Sequence, residues 1–188
     1  RYLPFNFLRD GHTQSPIIWI GVSWIGAGLF LAPAIAGGRE ARGQSVLVGL
    51  LFWVTVIVVA GALLGNYLGI MGHIQKGWFW FGNQGLSYIQ LGRFWQIGFF
   101  IGLASWSLLV MRALWPSVSL WRTAARQFWT GRIRLEHLIW ASTINVAVLY
   151  VFGMIPLTGI EKSFTLTDFW RWWVVHLWVE QSFEFFAA

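Results

Sequence analysis

The sequence predicts an all-α membrane protein with five transmembrane helices, and two observations carry that reading. Of 188 residues, 57% are hydrophobic and only 11% charged, against about 25% charged in soluble domains, and the mean hydropathy is +0.61. The apolar residues also fall into five runs, 7–36, 44–71, 93–113, 138–157 and 167–188, each long enough to cross a bilayer as a helix at roughly 20 residues per span. Fifteen Trp and sixteen Phe fit the same class, because aromatic rings gather at membrane interfaces and pack between helices.

The first run follows Pro4 and Asn6. Asn6 is a good N-cap, so the pattern predicts a first turn over 7–10 and an end at Gly37-Gly38, with Pro33 kinking the last turns. Glycines at 61, 65, 69 and 72 line the second run. They allow close helix approach and read as ordinary packing. The stretch from Lys76 to Leu91, rich in Trp, Phe and Gly, reads as an interfacial or re-entrant loop before the third run. The fourth run opens near His137 and the fifth near Thr167. No repeat or low-complexity linker divides the chain, so one membrane domain is expected over 1–188. The start at Arg1 and the stop within an apolar run suggest an internal piece of a longer protein, and no cleavable leader pattern is visible.

The net charge of +6 lies in loops between apolar runs rather than in a solvated patch, which argues against a nucleic-acid partner. Seven bases, Arg39, Arg42, Arg112, Arg122, Arg126, Arg132 and Arg134, fall on one side; six, Arg1, Arg9, Lys76, Arg93, Lys162 and Arg171, fall on the other. Five of the seven lie between Arg112 and Arg134, and the positive-inside rule therefore places that side in the cytoplasm. The chain has no Cys, so a disulfide framework and a thiolate metal site are excluded and any metal must be held by His or carboxylate.

Four groups can do chemistry. His176, Glu180 and Glu184 recur every four residues in the last run, on one helical face. A carboxylate in the middle of a spanning helix costs roughly 2.5–3.5 kcal/mol on insertion scales, so such a stripe is expected to face protein or a hydrated cavity. Two readings stay open. His176 and Glu180 can bind a hard cation such as iron with Glu184 behind them, or the three can relay protons with no metal. His12 lies about 9 Å along the first helix from its expected cap and His176 about 13 Å beyond Thr167, which predicts comparable depth in the outer part of the membrane. Neutral imidazole is a common metal and haem ligand, though a histidine near a helix entrance is often only interfacial. His73 and His137 read as interfacial.

Three blocks carry a family resemblance: Trp172-Trp173-Val174-Val175-His176-Leu177-Trp178-Val179-Glu180; Leu3-Pro4-Phe5-Asn6-Phe7-Leu8-Arg9-Asp10-Gly11-His12-Thr13-Gln14; and Trp80-Phe81-Gly82-Asn83-Gln84-Gly85 with Leu91-Gly92-Arg93-Phe94-Trp95-Gln96. Over essentially its whole length the chain resembles the large subunit of bacterial nitric-oxide reductases, nearer the quinol-dependent single-chain type, a branch of the haem-copper oxidase superfamily. The resemblance implies part of a catalytic bundle of twelve or more helices, multi-pass in the bacterial inner membrane. That bundle holds a low-spin haem b, a high-spin haem b and a non-haem iron, and reduces two NO to N2O with electrons from quinol. By position, His12 matches an axial ligand of the low-spin haem, His176 an iron ligand, Glu180 the carboxylate in that iron's sphere, and Glu184 a nearby structural or proton-handling glutamate. The remaining ligands belong to later helices, so the fragment alone is expected to be inactive.

The chain departs from the family at four places. Ser87 and Gln90 replace two glutamates near the haem propionates, which argues against a calcium site there. Asn83 replaces a histidine common in quinol-type members, and Gln181 replaces the usual glycine after the iron-site glutamate. Such changes also fit the related branch thought to dismutate NO to N2 and O2. From a different class, a non-redox transporter or proton channel would use His176, Glu180 and Glu184 without haem.

Overall fold

The computed structural model describes residues 4–38, 40–82, 91–115, 126, 129–131, 133–155, 163–182 and 184. Among these the chain is helical throughout: α1 (Phe5–Ile35), α2 (Gln44–Ile70), a single turn α3 (Trp78–Phe81), α4 (Arg93–Leu114), α5 (Leu135–Met154) and α6 (Phe164–His176), which runs into a π-helical turn, Leu177–Gln181. Four of them, α1, α2, α4 and α5, are long and apolar enough to cross a membrane. This bears out the all-α membrane class. The fifth expected run is a 13-residue α-helix continued by the π turn rather than one uniform α-helix.

Helix starts depart from the sequence reading for local reasons. Pro4, not Asn6, caps α1 in an extended conformation, and its carbonyl accepts from Phe7 and Leu8 N–H, so Asn6 lies inside the first turn. At the other end Gly37 and Gly38 both take φ near +80° (82° and 78°), and Gly38 N–H closes onto Pro33 O at 2.8 Å. Only glycine adopts that left-handed pair without strain. The Ser163 hydroxyl accepts from Leu166 N–H at 3.4 Å and starts α6 before Thr167.

Cross-helix contacts fix direction and register. The Gln44 amide donates to Leu109 O (3.0 Å), while Gly61 and Gly65 of α2 lie under Trp95, so α2 and α4 are antiparallel. Arg93 donates to Met154 O and Ser107 bonds Thr143 at 2.9 Å, making α5 antiparallel to α4. Trp170 donates to Phe152 O (3.3 Å), Trp178 to Val146 O (3.0 Å) and Asn145 to Ser182 Oγ (2.7 Å), so α6 runs back along α5. Gly28 receives the Trp106 indole so closely that a Cβ there would sit 2.8 Å from it; with Phe7 edge-on to Tyr67 at 5.3 Å near the α2 end that meets Trp95, this sets α1 parallel to α4. The core runs along α4, with Leu103, Trp106, Leu109, Val110 and Leu114 meeting Trp24, Val146, Tyr150 and Trp178. A narrow cavity of about 50 Å³ remains between α1, α2 and α4, closed by Tyr150 of α5 and Trp178 of the π turn and lined by Gln14, Gly21, Val58 and Gly98 among others.

Candidate functional site

The polar stripe of the last run is formed at the junction of α6 and the π turn. Val174, Trp178 and Ser182 are buried, Trp178 sealed against Val146 O and edge-on to Trp24 at 5.3 Å. His176, Glu180 and Glu184 alternate with them and are exposed on the opposite face. His176 Nδ1 lies 2.9 Å from Glu180 Oε2, and the two side chains retain 63% and 61% of their accessibility. Nothing described in this chain therefore covers them. Such a face is costly in hydrocarbon, and suits contact with protein, a cofactor or a hydrated cavity.

Trp178 meets α5 at Val146, near the middle of that helix, so His176 and Glu180 lie at mid-bundle depth. On α1 the same indole lies level with Gly21, where an added Cβ would sit 3.8 Å from it, and with Trp24. His176 precedes Trp178 by two residues and His12 precedes Gly21 by nine. At 1.5 Å per residue the two histidines are thus roughly 10–15 Å apart in depth. The expectation of comparable depth fails because it counted from assumed helix starts; α1 begins at Phe5, and α6 is seated by Trp178 and Ser182 instead.

His12 is exposed on α1 in a shallow groove formed by Phe7, Leu8, Gly11, Ser15, Pro16 and Trp19. Its neighbours two residues away point inward: Asp10 and Gln14 are 1% and 2% exposed. Arg9 holds Asp10 at 3.0 Å from the exposed side. An apolar slot ending in an imidazole suits the flat face and iron of a porphyrin. At the other centre, the Glu180 carboxylate engages Nδ1 of His176 and so orients Nε2 as the available lone pair, an arrangement common around metal-bound histidine. One imidazole and two carboxylates are a donor set that suits iron. They are not a complete sphere, and among the described residues no group of three or more such side chains is assembled to hold a metal.

The remaining histidines do not join either centre. His73 is exposed in the turn after α2, and His137 Nδ1 accepts from Arg134 N–H (3.4 Å) in the first turn of α5. Gln181 is exposed beside Glu180, while Asn83, Ser87 and Gln90 lie outside the described residues. The sequence reading passed over Asp10, Gln14, Asn145 and Ser182. A signal existed, since the first two flank His12, and Ser182 follows Glu180, each at a spacing of two.

The chain matches the family of cytochrome c and quinol oxidase polypeptide I over residues 2–188. It belongs to that family. Among curated proteins, a subunit of the nitric oxide reductase of Stutzerimonas stutzeri is 23% identical over 186 residues, an overlap covering 97% of this chain and 35% of that protein. The chain thus spans about a third of the relative it matches, and the oxidoreductase family it joins is one of multi-helix membrane bundles with haem and metal cofactors.

Proposed function

We propose that the chain is the portion of a nitric-oxide-reducing haem and non-haem iron enzyme that supplies one low-spin haem ligand, His12, and the His176–Glu180 half of the iron site. The observation that carries the reading is the 2.9 Å His176–Glu180 pair, at mid-bundle depth and uncovered by its own chain. The similarity to the Stutzerimonas stutzeri nitric oxide reductase supports NO as substrate. In this reading haem and iron supply electron transfer and NO binding; two NO, two electrons and two protons give N2O and water, with quinol the electron donor. His12 orients one haem, His176 binds iron, Glu180 holds the imidazole or joins the iron, and Glu184, one further turn along the same face, hands on protons. The enzyme resides in a bacterial inner membrane.

The test uses the full-length protein, purified and incubated with quinol and isotope-labelled NO. Haem b absorption and labelled N2O are expected. Labelled N2 with O2 would favour dismutation, a reading that Gln181 beside Glu180 keeps in view, and a protein lacking haem b would sink both in favour of a proton-conducting stripe.

A further inference from the structure

A strict spacing of four is not the period of an α-helix. At 3.6 residues per turn, positions four apart drift by about 40° per step, so three of them spread over about 80°. Two such series overlap here: buried Val174, Trp178 and Ser182, and exposed His176, Glu180 and Glu184. The π turn Leu177–Gln181 lies within both and slows the winding, which keeps each series in line. π turns are rare, occur as single turns and gather at functional sites, so something must hold this one open.

The structure assigns that task to Ser182 and Asn145. Ser182 is fully buried, and its hydroxyl donates to Leu177 O at 3.2 Å, five residues back, across the turn. The Asn145 amide of α5 donates to the same hydroxyl at 2.7 Å. One turn earlier Trp178 donates to Val146 O. The turn is thus pinned to α5 at both ends on its buried face, with Glu180 midway between the pins on the other. We propose that Ser182 and Asn145 are positioning residues for Glu180: without the Ser182 tie the turn tightens to α geometry, Glu180 and Glu184 shift around the axis relative to His176, and the iron site loosens. This rests on the reading of His176 and Glu180 as iron donors.

The experiment measures the rate at which full-length enzyme loses non-haem iron to a chelator, alongside haem b content and thermal stability. Ser182→Ala and Asn145→Leu should each release iron faster, by at most the roughly 10–100-fold that losing a group bonded directly to a metal ligand costs in affinity, with haem content unchanged. Ser182→Thr, which keeps the hydroxyl, should restore the native rate. Native iron retention in well-folded Ser182→Ala would overturn the inference, as would equal loss from Ser182→Thr. If Ser182→Ala lowers haem content, Asn145→Leu alone decides, by the same rate. A wild-type protein with no non-haem iron would overturn the functional reading and this inference with it, whereas wild-type iron with an unaffected variant overturns only this one.

Discussion

Gly65→Ala should be among the most disruptive single-methyl changes in the bundle, and Gly49→Ala, on the same helix, among the least. A Cβ at Gly65 would collide with the backbone oxygen of Phe81 and sit 3.0 Å from Trp95 Nε1, whereas at Gly49 nothing lies within 4 Å. The Phe81 oxygen cannot swing aside, and it accepts the Trp95 indole N–H at 3.0 Å. Replacing Gly by Ala in a helix interior favours the helix by up to about 1 kcal/mol. At Gly65 this is opposed by overpacking of about 3 kcal/mol, the upper end of its usual range because the obstacle is backbone, and by about 1 kcal/mol for the indole bond. The net cost is about 3 kcal/mol at Gly65, against a gain of up to about 1 kcal/mol at Gly49. Reversible unfolding of the full-length protein in mixed detergent micelles, followed by tryptophan fluorescence, would read the first as a shift of roughly a hundredfold in the unfolding equilibrium, at about 1.4 kcal/mol per decade. Equal midpoints for the two variants would refute the close approach of α2 to Phe81 of α3 and Trp95 of α4.

Three further outcomes are expected. A double-mutant cycle on Ser107→Ala and Thr143→Val should give a coupling of about 0.6 kcal/mol and not more than about 1.7, the range for interhelical hydrogen bonds in membranes; zero coupling would mean that the buried 2.9 Å contact adds nothing beyond packing. His12→Ala in the full-length enzyme should abolish the low-spin haem signal while the high-spin signal persists, as read by electron paramagnetic resonance. If His176 and Glu180 hold iron and His12 a haem, as proposed, chelation of that iron should leave the haem b absorption bands in place and stop NO turnover, since the two histidines lie on separate helices of the bundle.

Much of the fold was legible because the bilayer imposes a coarse code: runs of about 20 apolar residues and glycines where backbones meet. Gly61 and Gly65 do lie under Trp95, and Gly37-Gly38 does end α1. Helix rotation and axial offset were less legible. Depth counted from Asn6 and Thr167 went astray because seating is set by contacts far along the chain, such as Trp178 on Val146 and Gly21. The π turn was invisible for a related reason: its determinant, the Asn145–Ser182 bond, joins residues 37 positions apart. The identity of His176 and Glu180 as a pair, by contrast, needed only their spacing.

Those limits point to how this chain specifies rotation. In a soluble bundle the apolar stripe turns each helix inward, but lipid is as apolar as a core and gives no such torque. Here α1 is apolar almost all round, yet its inward face begins with Asp10 and Gln14 before continuing through Trp24, Gly28 and Ala32. The inward face of α6 and its π turn includes Ser182, tied to Asn145. In both cases an exposed ionisable residue sits two positions from a buried polar one, His12 between Asp10 and Gln14, Glu180 before Ser182. Two positions is about 200° around a helix, so a polar side chain drawn to partners inside the bundle turns its neighbour to the opposite face. Polar residues hidden inside the bundle thereby aim the exposed ones, whatever chemistry the exposed face performs.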